Sequence, residues 1–321
     1  MPLINPPDIL PEAMRFLLRA LLGHKHAECD KDELLALVAP AGLGEALKAV
    51  ERSEAAVPAD EAQKGGQVIA QKSLDALGAL ALVELREGRV LASDAVKVGA
   101  KSVNGLTASV FARMLRTRIW QFEAGGAGSA AHDLVSALAV MFAAEEPLEP
   151  LYFEGGHGRR FDMIQSVRFG AAQSGWSVGN SVRWPAARRW AIYLGLGCPI
   201  PATKTVQSTG LIVEASLALQ EDLDLPADTY QINAFLQRCA EALPIADGGA
   251  FTQWSAPGDP EVSPGMSLTL RQLEVLGDLS LESRSDTSNG MIVALGTRPD
   301  LREHITHVKW HPDIVSEGAP R

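Results

Sequence analysis

Gln67-Val68-Ile69-Ala70-Gln71-Lys72-Ser73-Leu74-Asp75-Ala76-Leu77-Gly78-Ala79-Leu80 leads into Leu82-Val83-Glu84-Leu85, then Arg86-Glu87-Gly88-Arg89, then Val90-Leu91-Ala92. The first part reads as a helix, because Val68, Leu74, Leu77 and Leu80 or Ala81 fall on one face at helical spacing. The second reads as a hairpin. Val83, Leu85, Val90 and Leu91 supply its two strands, and Gly88 sits in the turn where a positive φ is tolerated. A helix running into a charged-tip hairpin is the outline of a winged helix.

Upstream residues extend that outline. Pro11 suits a first helical turn, and Met14, Leu17, Leu18 and Leu21 recur at helical spacing up to a stop at Gly23-His24. Asp30-x-x-Glu33 is a capping-box pattern that opens a second helix through Leu34, Leu35 and Val38, closed by Pro40 and Gly42. The spacing predicts a third helix over 44–54. Residues 55–66 read as a loop, with Pro58 and Gly65-Gly66 as breakers. Helix, helix, helix, hairpin within the first 98 residues is a winged-helix-like domain with an insertion.

Residues 99–200 read as a helical middle region. One helix spans Leu106 to Phe122, another carries Leu134, Leu138, Met141 and Phe142, and a third starts at Pro185 and continues through Trp190 and Leu194. Residues 201–321 read as an acidic helical region with helices over Leu211–Leu219 and Tyr230–Leu243 and a loop over Pro257–Gly265. Thr269-x-x-Gln272 is a second capping-box pattern, opening a short helix. Leu279 to Ser283 alternates as a half-buried strand, Asn289-Gly290 marks a turn, and Met291–Leu295 is the expected return strand. The fold class is therefore mainly α with small β hairpins. Winged-helix-like modules stand at both ends, with no repeat at the level of residues.

Charge is unevenly placed. The net charge is −10 over 321 residues. Residues 1–100 hold 11 Lys/Arg against 15 Asp/Glu, 101–200 hold 10 against 7, and 201–321 hold 8 against 17. An acidic total argues against strong non-specific DNA binding by the isolated chain, since phosphate contacts need cations. The candidates for such contacts are Lys64 and Lys72 near the helix, Arg86 and Arg89 at the hairpin tip, and a middle set of Arg113, Arg116, Arg118, Arg159, Arg160, Arg183, Arg188 and Arg189. The middle set is interleaved with Trp120, Phe122, Trp184 and Trp190. Arginine forks suit phosphates and aromatic faces can stack bases. The alternative is that the tryptophans are core and the arginines form a solvated, ion-paired face.

No catalytic motif stands out. Gly125 to Ser129 lacks the Gly-Lys-Ser/Thr of a phosphate loop, and there is neither a Gly-x-Ser-x-Gly elbow nor a His-Glu-x-x-His. His24-x-His26-x-x-Cys29 has ligand types for zinc but no second Cys/His pair close by. It reads as a polar loop, as do His304, His307 and His311, so neither a metal nor a cofactor is expected. Cys29, Cys198 and Cys239 are too few and too far apart for a disulfide framework, which fits a reducing cytoplasm. The N-terminus lacks a signal-peptide pattern, and the longest apolar run is too short for a bilayer.

Asn5-Pro6-Pro7-Asp8-Ile9-Leu10-Pro11-Glu12-Ala13-Met14-Arg15 and Asn180-Ser181-Val182-Arg183-Trp184, continued by Arg189-Trp190-Ala191-Ile192-Tyr193-Leu194-Gly195-Leu196-Gly197, carry a resemblance to the DpdG family. Its members are accessory proteins of bacterial Dpd clusters, which install 7-deazaguanine bases in DNA and restrict foreign DNA. The resemblance extends along most of the chain and lends no active-site residues. It implies a cytoplasmic setting beside helicases, ATPases and a base-exchange enzyme. The combined expectation is a non-enzymatic adaptor or DNA-contacting subunit of this defence system. Its partners would be other proteins of the system and duplex DNA held mainly by phosphates, not a membrane. A stand-alone transcription regulator and an enzyme with an unrecognised site are the alternatives.

Overall fold

A computed structural model describes residues 2–4, 8–38, 59–123, 129–153, 159–170, 176–201, 209–253, 260–285, 290–296 and 299–311, apart from the side chains of 59–65 and 299. The helix expected over 44–54 lies outside the described residues. Among the described residues the chain is mainly helical, with sheets of two to four strands. It divides into two compact units, Met1–Leu134 and Val135–Arg321, with the boundary inside the stretch read as the middle region. No described helix is long and apolar enough to cross a membrane.

The first unit is built from α1 (Pro11–Gly23), β1 (Glu28–Asp30), α2 (Lys31–Val38), α3 (Ala59–Ala79), β2 (Val83–Arg86) and β3 (Arg89–Ala92), followed by α4 (Asp94–Ala100) and α5 (Ala108–Glu123). The strands form one antiparallel sheet in the order β1-β3-β2. Met14, Leu17, Leu18 and Leu21 of α1 are buried, as are Leu74 and Leu77 of α3. Each such leucine stabilises the unit by about 1.5–3 kcal/mol through the area it removes from water. Helix α3 starts well before Gln67 and runs through Gly65-Gly66. Two glycines cost about 1 kcal/mol each in a helix interior, less than the packing of a long helix against α1 returns. Leu3 and Ile4 are fully buried, and their amides donate to the Asp133 carboxylate at 2.9 and 2.8 Å.

The second unit opens with α6 (His132–Phe142), inside which the boundary falls. A four-stranded sheet in the order β5-β4-β7-β6 follows, made of β4 (Leu151–Tyr152), β5 (Arg159–Arg160), β6 (Cys198–Ile200) and β7 (Gly210–Ile212). Helices α7 (Phe161–Phe169) and α8 (Trp184–Tyr193) accompany it, and the Phe161 and Trp184 rings meet at 5.3 Å. The chain continues through α9 (Ser216–Asp222), β8 (Asp228–Gln231), α10 (Ile232–Ala242), α11 (Pro264–Leu276), β9 (Leu279–Glu282), β10 (Met291–Ala294), β11 (Arg302–Ile305) and β12 (His307–Trp310).

Several local expectations change here. Leu211–Leu219 is a strand and then a helix, as is Tyr230–Leu243. Helix α11 begins at Pro264, because the Ser263 side chain caps it by accepting from the Met266 amide at 3.3 Å. Thr269 is therefore mid-helix, and its hydroxyl donates to the Gly265 carbonyl at 2.8 Å. Strand β9 does not pair with β10. It pairs antiparallel with β12, while β10 pairs with β11 as a hairpin inserted between them.

The pairing reveals a shared plan. The order α9-β8-α10-α11-β9-β12, with sheet order β8-β12-β9, repeats the order α1-β1-α2-α3-β2-β3 with sheet order β1-β3-β2. Junction hydrogen bonds repeat too. The Lys31 amide that opens α2 donates to Gly88 at 2.9 Å, and the Ile232 amide that opens α10 donates to Thr306 at 2.9 Å. Leu82 donates back to Leu77 at 2.9 Å after α3, and Asp278 to Leu273 at 3.0 Å after α11.

Candidate nucleic-acid interface

The tip of the first hairpin is a two-residue turn. Glu87 and Gly88 both have positive φ, 49° and 81°, as a type I′ turn requires. Arg86 and Arg89 flank it directly opposite one another across the strands. Each is held by a carboxylate, Arg86 by Glu84 at 2.6 Å and Arg89 by Glu28 at 2.7 Å. Helix α3 precedes the hairpin. Gln67 and Val68 are exposed and Gln71, Lys72 and Asp75 are half-buried. The Gln71 amide donates to Asp75 at 2.6 Å, which ties up a group that could otherwise read a base edge. The Lys64 side chain lies outside the described residues.

The middle arginines do not form one surface. Arg113 is exposed, and Arg118 is half-buried and donates to Gln121 at 3.2 Å. Arg116, only 1% exposed, is an interior group that cannot reach a phosphate. Arg159 is also taken, because its guanidinium donates to the carbonyls of Ala144 at 2.9 Å, Glu149 at 3.0 Å and Glu145. Burial pushes its pKa down to about 10. Arg160 is exposed and pairs with Asp162. Both line a cleft of about 490 Å³ with Glu145, Glu146, Met163 and Arg168. Arg183, Arg188 and Arg189 belong to the start and middle of α8 and are half-buried, and Arg188 donates to the Thr209 carbonyl at 2.6 Å. Burial lowers the pKa of Arg188, assisted by neighbouring Arg189.

The tryptophans decide the stacking question. Trp120, Trp184 and Trp190 are buried, and half-buried Trp176 donates to the Gly170 carbonyl at 3.0 Å. The first three are core residues with no face to offer a base. At the surface, Arg86, Arg89 and Arg160 each face a carboxylate, and none of the three buried rings is available beside them for stacking.

The polar stretch after α1 carries a cluster that the pattern of His and Cys did not contain. Ligand atoms of His24, Cys29 and Glu33 lie within 4.8 Å of one another, while His26 stays outside the group. Glu33 was hidden by its place in a capping box. Asp30 does cap α2, accepting from the Asp32 and Glu33 amides at 2.9 and 3.2 Å. The Glu33 carboxylate turns to the Cys29 thiol instead, at 3.5 Å. His304 and His307 sit on separate strands and form no such group among the described residues.

Comparison with known proteins identifies the lineage. No curated protein and no solved structure matches the chain. A sequence profile described as DpdG-like matches residues 1–287. The match spans both compact units, including the first hairpin and, in the second unit, β8, α10, α11 and β9 but not β10, β11 or β12. On that extent the chain belongs to the DpdG-like family, which associates it with Dpd systems.

Proposed function

We propose that the chain is a non-enzymatic subunit of a Dpd DNA modification–restriction system, acting as a winged-helix adaptor that also touches duplex DNA. The observation that carries this reading is the repeated plan of helix, strand, helix, helix, strand, strand, with the last strand central in each sheet. That is the connectivity of a winged helix, in which the third helix and the terminal hairpin form the contact surface. The second copy has a hairpin, β10–β11, inserted into its wing. Many winged helices bind proteins and not DNA, and the acidic C-terminal third suits a basic partner. Other proteins of the system are the natural partners, and they would supply phosphate contacts that this chain lacks.

Tagging the chain in a host that carries its Dpd cluster tests the reading. Other Dpd proteins should co-purify, and the purified chain should bind duplex DNA weakly with a strong salt dependence. Substituting Arg86 and Arg89 by Ala should flatten the salt slope by about one per lost phosphate contact. A chain that recovers no Dpd protein and binds no DNA at low salt refutes the proposal.

A further inference from the structure

We propose that His24, Cys29 and Glu33 form a binding site for one zinc ion at the base of the first sheet. The site goes beyond the adaptor reading and does not depend on what the wings contact.

The donor set is one imidazole nitrogen, one thiol sulfur and one carboxylate oxygen, all within 4.8 Å of one another. Zinc bonds of about 2.0–2.3 Å in a tetrahedron place ligand atoms about 3.3–3.7 Å apart. The Cys29 Sγ to Glu33 Oε2 separation of 3.5 Å already meets that requirement. His24 is half-buried and Glu33 exposed, so a small side-chain rotation of either closes the remaining distance.

The backbone around the cluster is shaped to bring these groups together. Cys29 is the middle residue of β1, paired with Val90 and 2% exposed. Glu33 stands four residues on, in the first turn of α2, with Asp30 satisfying the helix amides in its place. His24 is the C-cap of α1, and its carbonyl accepts from the Ala27 amide at 3.0 Å. Between His24 and Cys29 the chain reverses through two consecutive left-handed residues, His26 at φ 63° and Ala27 at φ 52°. Neither is glycine, so each costs about 1–2 kcal/mol. Strain of this kind persists where the surroundings fix it, and it collects at ligand clamps.

The chemistry selects the ion. A thiolate and an imidazole favour zinc and similar transition metals over magnesium or calcium, which prefer oxygen donors. On binding, the Cys29 S–H bond breaks, the proton leaves to solvent and the sulfur lone pair forms the S–Zn bond. His24 donates a nitrogen lone pair and Glu33 an oxygen lone pair. Thiolate and carboxylate together neutralise the dication, and a water completes the tetrahedron. Three ligands from α1, β1 and α2 would pin the end of one helix to an edge strand and to the next helix.

The test uses the full chain, metal-stripped and then titrated with Zn²⁺ or Co²⁺. One equivalent should bind, and Co²⁺ should give a thiolate-to-cobalt charge-transfer band with tetrahedral d–d absorption. Zn²⁺ should raise the unfolding temperature. Glu33→Gln, an exposed change that leaves the fold intact, should weaken Zn²⁺ binding at least tenfold. Cys29→Ser should abolish the charge-transfer band, and His26→Ala should leave it unchanged. Absence of stoichiometric binding, or affinity unchanged in Glu33→Gln, overturns the proposal, as does equal loss in His26→Ala.

Discussion

Replacing Ala81 by glycine should stabilise the first unit, and replacing Gly277 by alanine should destabilise the second. Both residues end the helix that leads into the last hairpin of their unit, and both are left-handed, at φ 51° and φ 85°. Their hydrogen bonds correspond. Ala81 donates to Gly78 at 2.9 Å and Leu82 to Leu77 at 2.9 Å, while Gly277 donates to Glu274 at 3.1 Å and Asp278 to Leu273 at 3.0 Å. These pairs close a Schellman motif, whose left-handed position favours glycine. Alanine there costs about 1–2 kcal/mol in the folded state. Glycine adds about 0.4–1 kcal/mol of conformational freedom to the unfolded chain. The difference leaves Ala81→Gly about 0.5–1 kcal/mol more stable and Gly277→Ala less stable by a similar amount. Packing does not disturb the comparison, since Ala81 is exposed and a Cβ at 277 would meet nothing within 4 Å. Urea titration followed by hydrogen exchange would resolve the two units through peptides covering 82–92 and 307–310. In thermal melts the shifts should be about 2–4 °C in opposite directions. Loss of stability in Ala81→Gly, or an unchanged Gly277→Ala, would refute the assignment of the two closures as equivalent.

Further outcomes follow from individual groups. Arg159→Met should cost about 2–3 kcal/mol in denaturant unfolding, because it strips a charged donor from three carbonyls, whereas Arg160→Ala at the exposed neighbour should stay within about 0.5 kcal/mol. Alkylation of the native protein, read by peptide mass, should modify exposed Cys198 first. Buried Cys29 and Cys239 should lag, with burial holding both thiols protonated above the ordinary range. Burial raises the Asp133 pKa against the opposing pull of the Leu3 and Ile4 amides, so the folded state holds that proton more tightly than the unfolded state. Its contribution is full below the ordinary carboxylate pKa and is lost as pH rises through the folded value. Urea titrations stepped upward through that window should show wild type losing stability relative to Asp133→Asn, and a relative gain would contradict the sign.

The parts legible in the sequence were those set by neighbours in the chain. The hairpin announced itself through Gly88 in the turn and four apolar strand positions, although Arg86 and Arg89, read as part of a four-residue tip, pair as strand residues around a two-residue turn. Helix α1 did so through Pro11 and a leucine repeat that is buried throughout. Non-local choices were not legible. Strand β9 takes β12 as partner across an inserted hairpin, and no turn signal near Asn289-Gly290 could reveal that. Thr269-x-x-Gln272 matched a capping box by coincidence, because Ser263-Pro264 had already started the helix. The same motif logic concealed Glu33. Its spacing from Asp30 explained it as a cap, so its other spacing, four residues from Cys29, went unused. Burial decided the arginines. Arg116 and Arg159 look like their neighbours in sequence, and only packing separates an interior guanidinium from a surface one.

The pairing of surface arginines bears on how such a subunit would meet DNA. Arg86 and Arg89 in the first sheet face Glu84 and Glu28. In the second unit Arg284 faces Glu282 at 2.7 Å, Arg302 faces Glu261 at 3.2 Å, and Arg271 bridges Glu274 and Glu303. An exposed pair is worth only about 0–1 kcal/mol, so an arginine can leave its carboxylate for a phosphate at little cost. The carboxylate left behind then faces the polyanion. Affinity for DNA from counterion release grows with the number of phosphates neutralised, and the uncovered carboxylate takes back part of what each contact contributes. Hairpins built from balanced pairs therefore hold bare DNA weakly and can exchange partners with a protein surface that offers its own charges. An acidic second unit strengthens that preference, since a basic partner would relieve its self-repulsion while bringing cations to the duplex. The arrangement of charge thus supports the proposed adaptor role, in which the two sheets supply shape and partner proteins supply most of the phosphate affinity.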